Sequence, residues 1–81
     1  LSASDVLMFP NPKTAMVTIE ITKPITGQVM LYNSFGQQLA VQPINQHSTM
    51  LDLSTYPTGV YWVALSDMEQ QRRVVKKVVK Q

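Results

Sequence analysis

The residues that could take part in catalysis are few, and their spacing does not assemble a catalytic site. His47 is the only histidine, and it lies in the polar stretch Asn45-Gln46-His47-Ser48. A hydrolytic triad needs a nucleophile, a histidine and a carboxylate in contact, yet Ser48 has no nucleophile-elbow motif around it. We therefore expect His47 to be a solvated loop residue, and the sequence predicts no catalytic residue.

Metal and cofactor chemistry also has little support among the side chains. The chain has no cysteine, which excludes a disulfide framework and a zinc site built on thiolates. Asp67 and Glu69 lie close together in a turn, but they offer too few ligands for a calcium loop. The glycines are isolated turn residues, so no phosphate-binding loop is present. We expect no metal, no cofactor, no small-molecule substrate and no enzymatic activity.

A single tryptophan is better suited to binding than to chemistry. Trp62 alternates with Tyr61, Val63 and Leu65, which are the inward positions of the most apolar segment. On a two-layer sandwich Trp62 would therefore point outward. It could act as a sugar-stacking platform or an interaction hot spot, or it could be a surface aromatic covered by a loop.

The basic residues are concentrated at the end of the chain. Five of the seven occupy the last ten positions, and the rest of the chain has two lysines against five acids. This tail could contact an anionic surface or form a solvated charged edge. Nucleic-acid surfaces combine basic residues with stacking aromatics, and no aromatic follows Trp62, so no nucleic-acid partner is expected. The five residues are Arg72, Arg73, Lys76, Lys77 and Lys80.

Period-two alternation of apolar and polar residues is the main structural pattern. It is strict in Val17-Thr18-Ile19-Glu20-Ile21-Thr22, and it places Glu20 and Asp52 on outward positions. Further alternating positions are Val29 and Leu31, Leu39 and Val41, Leu51 and Leu53, and Tyr61, Val63 and Leu65. The pattern predicts short strands that bury one face.

Turn signals separate these strands at roughly 8–12-residue spacing, which is typical of an all-β sandwich or barrel. Pro10-Asn11-Pro12 is predicted to stop a first strand that ends at Phe9, because proline lacks a backbone donor. Residues 33–36 and residues 56–59 suit type I turns. The chain length allows one domain, residues 1–81.

The last segment, residues 74–80, repeats in pairs of valines and lysines, so no strict alternation fits it. A helix remains an alternative there, since Val75, Val78 and Val79 would share a helix face. Its β-branched residues favour a strand, and we predict an edge strand whose lysines blunt the edge against unwanted pairing.

Taken together, the turns and the tail resemble the type A C-terminal sorting domain of type IX secretion substrates. The resemblance covers nearly the whole chain, in order and at the family's spacing. It rests on Phe9-Pro10-Asn11-Pro12, on residues 27–33 with Gly36 closing the turn, on residues 51–54 leading to Pro57-Thr58-Gly59-Val60-Tyr61, and on Lys76-Lys77-Val78-Val79-Lys80.

This resemblance implies an all-β, seven-stranded immunoglobulin-like β-sandwich at the C-terminus of a longer secreted precursor of Bacteroidota type. Such precursors pass through the periplasm, and an outer-membrane type IX translocon recognises the domain and exports the fused upstream cargo. A surface sortase usually cuts the domain off, near residues 1–4 in this chain, and joins the cargo to anionic lipopolysaccharide. The cargo ends at the cell surface or in the medium.

Specific residues follow from this reading. We expect the translocon to read the terminal strand, and we expect a set of motif residues to shape the sandwich. The recognition residues would be Lys76, Lys77, Val78, Val79, Lys80 and Gln81. The structural motif residues would be Pro10, Asn11, Pro12, Gly36, Asp52, Gly59 and Tyr61. An exposed last strand could also pair with a second copy of the chain.

Two other functions fit parts of the sequence. An immunoglobulin-like carbohydrate-binding or adhesion module would need an exposed aromatic platform, for which Trp62, Tyr32 and Tyr56 are the candidates. A plain spacer domain would not need the concentrated terminal charge.

Overall fold

The computed structural model describes residues 3–11, 13–23, 25–44, 47–69 and 72–81. Pro12, one of the motif residues, lies outside the described residues. A short 3-10 turn, Ala3–Asp5, precedes seven strands. The strands are β1 (Val6–Asn11), β2 (Met16–Ile21), β3 (Gly27–Asn33), β4 (Gln38–Pro43), β5 (Ser48–Asp52), β6 (Gly59–Asp67) and β7 (Arg72–Lys80).

The strands form two antiparallel sheets. The three-stranded sheet has the order β1-β2-β5, and the four-stranded sheet has the order β4-β3-β6-β7. The alternating sequence explains this arrangement, because each strand has one apolar face that must be buried against another layer. The prediction of a seven-stranded immunoglobulin-like β-sandwich is confirmed, and β7 lies at an edge as expected.

The core lies between the sheets and is made of the predicted inward positions. In β6, Tyr61, Val63 and Leu65 are buried, which confirms the alternation predicted there. Tyr61 also donates a hydrogen bond from its hydroxyl to the Pro57 carbonyl. The other buried members of the core cluster are Val6, Val17, Ile19, Ile21, Val29, Leu31, Leu51, Leu53, Val74 and Val78.

Two details of the strand prediction are wrong. Strand β1 does not stop at Phe9, because Pro10 and Asn11 continue it and pair with Val17 and Met16. Proline has no backbone N–H to donate, but β1 is an edge strand that pairs only with β2 among the described strands. The free side of the strand needs no donor, so Pro10 is tolerated there.

Val41 was expected to face inward but is 48% exposed. The ladder between β3 and β4 shifts between Leu31 and Tyr32, so Ala40 lies opposite Leu31 and Val41 lies opposite Met30. A bulge of this kind inverts the faces of the residues beyond it. Val41 therefore lies on the solvent side of the four-stranded sheet, opposite Met30.

The turn between β3 and β4 is as predicted. The Gly36 N–H bonds the Asn33 carbonyl at 3.1 Å, and the Asn33 side chain accepts the N–H groups of Phe35 and Gln37 at 2.9 and 3.0 Å. Gly36 has a φ of 84°, a conformation that glycine adopts without steric cost.

In the loop before β6, the hydrogen-bonded turn joins the Tyr56 N–H to the Leu53 carbonyl at 3.1 Å. It therefore lies three residues before the predicted turn at residues 56–59. Gly59 instead opens β6, with a φ of 152°.

Candidate recognition surface around the C-terminal strand

Strand β7 alternates strictly, although its sequence repeats in pairs. Val74 and Val78 are buried at 6% and 5% exposure, while Val75 and Val79 are 50% and 48% exposed. Because side chains two apart share a face, Lys76 and Lys80 fall on the inner side with Val74 and Val78. Lys77 falls on the outer side and is exposed. The helix alternative for this segment is wrong.

The two inner lysines hold the strand in place. The Lys76 Nζ donates to the Val6 carbonyl at 2.7 Å, which links the edge strand of one sheet to the edge strand of the other. The Lys80 Nζ donates to the Tyr56 carbonyl and, at 3.4 Å, to the Ser54 carbonyl. Their aliphatic stems can cover apolar surface while the ammonium groups reach polar partners. Of the three lysines of β7, Lys77 is the exposed one, and the other exposed basic residues of the strand are Arg72 and Arg73.

The loop that receives Lys80 contains another motif residue. The Asp52 carboxylate accepts the Ser54 N–H at 2.8 Å. Hydrogen bonds from the Ser54 side chain and backbone hold the pKa of Asp52 below its ordinary value, and nearby Lys80 adds to this effect. Asp52 is exposed, as predicted. It shapes the loop on which the last lysine is anchored.

Motif residues from opposite ends of the chain meet in one groove. The groove has a volume of about 240 Å³, and its lining includes Pro10, Asn11, Leu53, Val78 and Gln81. Asn11 fixes the adjoining turn, because its side chain accepts the Lys13 N–H at 3.1 Å and its carbonyl accepts the Ala15 N–H at 2.9 Å. Gly36, in the turn between β3 and β4, is not part of the lining.

A second surface lies on the outside of the four-stranded sheet. We call it the outer face and define it by Tyr32, Trp62, Arg73, Val75, Lys77 and Val79. Trp62 stands in register between Tyr32 on β3 and Lys77 on β7. Trp62 is 39% exposed, which confirms its predicted outward position.

Arg73 and Tyr32 meet across this face. The Arg73 guanidinium lies 5.7 Å from the centroid of the Tyr32 ring, and its Nη2 donates to the Tyr32 hydroxyl at 3.2 Å. The Tyr32 hydroxyl contacts the Met30 sulfur at 3.5 Å. Since β6 lies between β3 and β7, these contacts pass over its outer side, where Ala64 is fully buried.

The ionised side chains of the outer face, Arg73 and Lys77, are both basic. Within β3, β4, β6 and β7 the one acidic residue is Asp67, which is buried at 2% exposure. Arg73 and Lys77 therefore face outward without an acidic neighbour in these strands. Tyr56 does not join the platform, because it packs against the core cluster with its hydroxyl on the Leu39 carbonyl at 3.3 Å.

Sequence reasoning did not find the anchoring lysines or the contact between Arg73 and Tyr32. The two-residue spacing of Val74, Lys76, Val78 and Lys80 was a usable signal, because it places two lysines on the face of two core valines. The contact between Arg73 and Tyr32 joins residues far apart in sequence. It depends on strand order, which no local pattern gives.

The single histidine of the sequence lies in the turn before β5. His47 is exposed, as predicted, and its Nδ1 lies 3.2 Å from the Ile21 carbonyl. Among the described residues, no three His, Cys, Asp or Glu side chains are grouped so as to hold a metal ion. No helix in the described part of the chain has the length and apolar character needed to cross a bilayer.

The structure is that of a small two-sheet β-sandwich with an anchored terminal strand and an apolar, basic outer face. The family model described as the secretion system C-terminal sorting domain matches residues 7–81, so the chain belongs to that family. A search of curated proteins finds no match.

Membership establishes the general function. The domain is a type IX C-terminal sorting signal, a tail by which the secretion system recognises a cargo protein and exports it toward the cell surface or the medium. The family is not an enzyme family.

Proposed function

We propose that this domain carries a fused upstream cargo from the periplasm through an outer-membrane type IX translocon, which reads the terminal strand. The recognition segment is residues 76–81. In this proposal Lys77, Val79 and Gln81 face the partner, while Lys76, Val78 and Lys80 hold the strand in the position that is recognised. A surface sortase then removes the domain and joins the cargo to anionic lipopolysaccharide, in a bacterium of the Bacteroidota type.

The position of β7 supports this proposal most directly. It is the last strand of its sheet, so one of its edges is available for strand addition by a partner. The inner side of the strand is anchored, because Val74 and Val78 pack in the core and Lys76 and Lys80 donate hydrogen bonds to backbone carbonyls. A signal shared by different cargos must present the same surface each time, and these contacts fix that surface.

An export assay tests the proposal. Residues 1–81 are fused to the C-terminus of a periplasm-targeted fluorescent protein in a bacterium that has a type IX system. We expect fluorescence at the surface or in the medium. The matched controls are the reporter without the domain and the same fusion in a host that lacks the translocon. Retention of the intact fusion in the periplasm would refute the proposal.

The role of the terminal strand needs two variants. Deletion of residues 76–81 should trap the reporter, but it also removes Val78 from the core. A second fusion therefore changes the outward residues alone, as Lys77→Gln, Val79→Thr and Gln81→Ala. Export of both variants at the level of the intact fusion would rule out the strand as the recognised element.

Removal by a sortase is tested on the exported fusion itself. We expect the surface form to have lost about 81 residues and to migrate with lipopolysaccharide, while the periplasmic form keeps its full length. An exported fusion of unchanged mass would refute this step and leave the sorting function standing.

A further inference from the structure

The recognition strand β7 supplies only some of the residues that form the outer face of the four-stranded sheet. Its outward residues, Lys77 and Val79, continue directly into Trp62 and Val60, their partners in register on β6. Tyr32 on β3 and Arg73 at the start of β7 complete that surface. Tyr32, Trp62 and Arg73 lie outside residues 76–81, and the proposed function gives them no role.

We propose that the outer face, centred on Trp62, is a docking surface for a protein of the export machinery whose contact patch is apolar with a rim of carboxylates. This inference rests on the proposed function, and it names a second contact in addition to the terminal strand. Two kinds of observation support it: the residue types that are exposed there, and their charge.

The residue types fit a protein contact. Tryptophan, tyrosine and arginine are the side chains most enriched in interface hot spots, and Trp62, Tyr32 and Arg73 lie together here. The valines Val75 and Val79 are half exposed around them. A sugar would use the aromatic ring, but it would leave these flanking valines without apolar partners. A protein surface would cover both.

The charge specifies the rim of the partner. Arg73 and Lys77 are the ionised groups of this face, and the single acid of the four strands, Asp67, is buried. Carboxylates facing Arg73 and Lys77 would complement the face and speed association, and a basic partner would be repelled.

A second copy of the chain fits the face less well. The opposite sheet exposes Leu7, Phe9 and Met50 beside Glu20 and Asp52, so its signs are complementary. Contact between the outer face of one copy and the opposite sheet of the next copy would be head-to-tail, and such contacts propagate into open filaments. A sorting signal is recognised on each cargo molecule separately. We therefore assign the outer face to a different protein.

The size of the outer face also suits a transient contact. The four strands β4, β3, β6 and β7 have 6 to 9 residues each, and together they form a surface of roughly 14 by 25 Å. This is about half the standard contact area per partner. A sorting signal must be released after each passage, and a contact of this size can dissociate quickly.

The test uses the fluorescent fusion with three single substitutions. Trp62→Thr and Arg73→Glu alter the outer face, and both lie outside residues 76–81. Phe9→Thr is the matched control, because Phe9 is 51% exposed on the outside of the other sheet. The thermal midpoint of each purified domain is measured, so that a loss of fold is recognised.

We expect surface delivery to fall by about tenfold or more for Trp62→Thr and Arg73→Glu, the size of effect typical of a hot spot. Phe9→Thr should be delivered normally, and the thermal midpoint of every variant should stay above the temperature of the export assay. Normal delivery of both outer-face variants would overturn the inference and leave the sorting function intact. An equal loss with Phe9→Thr would overturn the assignment to this face.

Two further outcomes would replace the assigned partner. Sedimentation that shows self-association lost with Trp62→Thr would indicate a second copy as the occupant. Glycan binding lost with Trp62→Thr, with normal delivery, would indicate a sugar. If the intact fusion itself stays in the periplasm, the sorting function has failed, and this inference fails with it.

Discussion

At the scale of single residues, Gly27 lies where β3 begins and its backbone packs closely against that of β6. A Cβ atom added there would lie 1.8 Å from the Ser66 carbonyl oxygen, and that oxygen belongs to the backbone of β6. No rotamer change can relieve such a clash. The pairing of the two central strands of the larger sheet therefore requires glycine at this position.

We expect Gly27→Ala to lower the free energy of unfolding by about 3 kcal/mol or more, at the upper end of the cost of overpacking. Urea unfolding of the purified chain measures this. The neighbouring exposed residue provides the control, since Gln28→Ala should change stability by less than about 0.5 kcal/mol. Equal unfolding midpoints for the two variants would show that β6 can move away from β3 at little cost.

At the scale of the strands, β7 illustrates how one short element serves two purposes. Its inner side contributes Val74 and Val78 to the core, and Lys76 and Lys80 bond carbonyl oxygens outside its own sheet. Its outer side presents Val75, Lys77 and Val79. The three lysines therefore differ in role although their sequence context is nearly the same.

A matched set of substitutions separates these roles. Lys76→Met and Lys80→Met keep most of the aliphatic side chain but remove the ammonium group that donates to a backbone carbonyl. Each should cost about 1–2 kcal/mol of unfolding free energy. Lys77→Met removes an exposed charge and should change stability by less than about 0.5 kcal/mol. Identical losses for all three in urea unfolding would contradict the division of the strand into an anchoring side and a presenting side.

The strands also show what the sequence could and could not predict. Tyr61, Val63 and Leu65 were predicted correctly because period-two alternation is a local property of the chain. The end of β1 was predicted wrongly because tolerance of Pro10 depends on β1 being an edge strand, which is a property of the sheet. Val41 was predicted wrongly because the bulge opposite β3 changes which face it joins.

The candidate surface was predictable to a similar degree. The outward position of Trp62 followed from alternation alone. Its neighbours Tyr32 and Lys77 followed only from strand order and register, which bring distant segments side by side. The anchoring of Lys76 and Lys80 required the backbone of the opposite sheet and of the loop before β6.

At the scale of the whole molecule, the outer face exists only in the folded domain. Tyr32 and Arg73 are 41 positions apart in sequence, yet their side chains are in contact. A signal read in this way is a folded surface, and a linear tail of the same terminal sequence would lack most of it. Delivery of a cargo should then depend on the folded fraction of the domain.

A pair of leucine substitutions tests this dependence. Leu65 is fully buried in the core, whereas Leu7 is 46% exposed on the outside of the smaller sheet. Leu65→Ala should cost about 2–5 kcal/mol, a large share of the total stability of so small a domain. Leu7→Ala should cost far less, and both variants keep residues 76–81 unchanged.

We expect the delivered share of the Leu65→Ala fusion to fall in proportion to its folded fraction, and Leu7→Ala to be delivered normally. Delivered fluorescence is divided by total fusion protein, so that degradation of the unfolded domain does not count as a failure of recognition. The folded fraction of each purified domain is taken from its circular dichroism at the temperature of the export assay. Normal delivery of an unfolded Leu65→Ala domain would mean that the machinery reads the terminal sequence as an extended chain, so that the sandwich is not the recognised form.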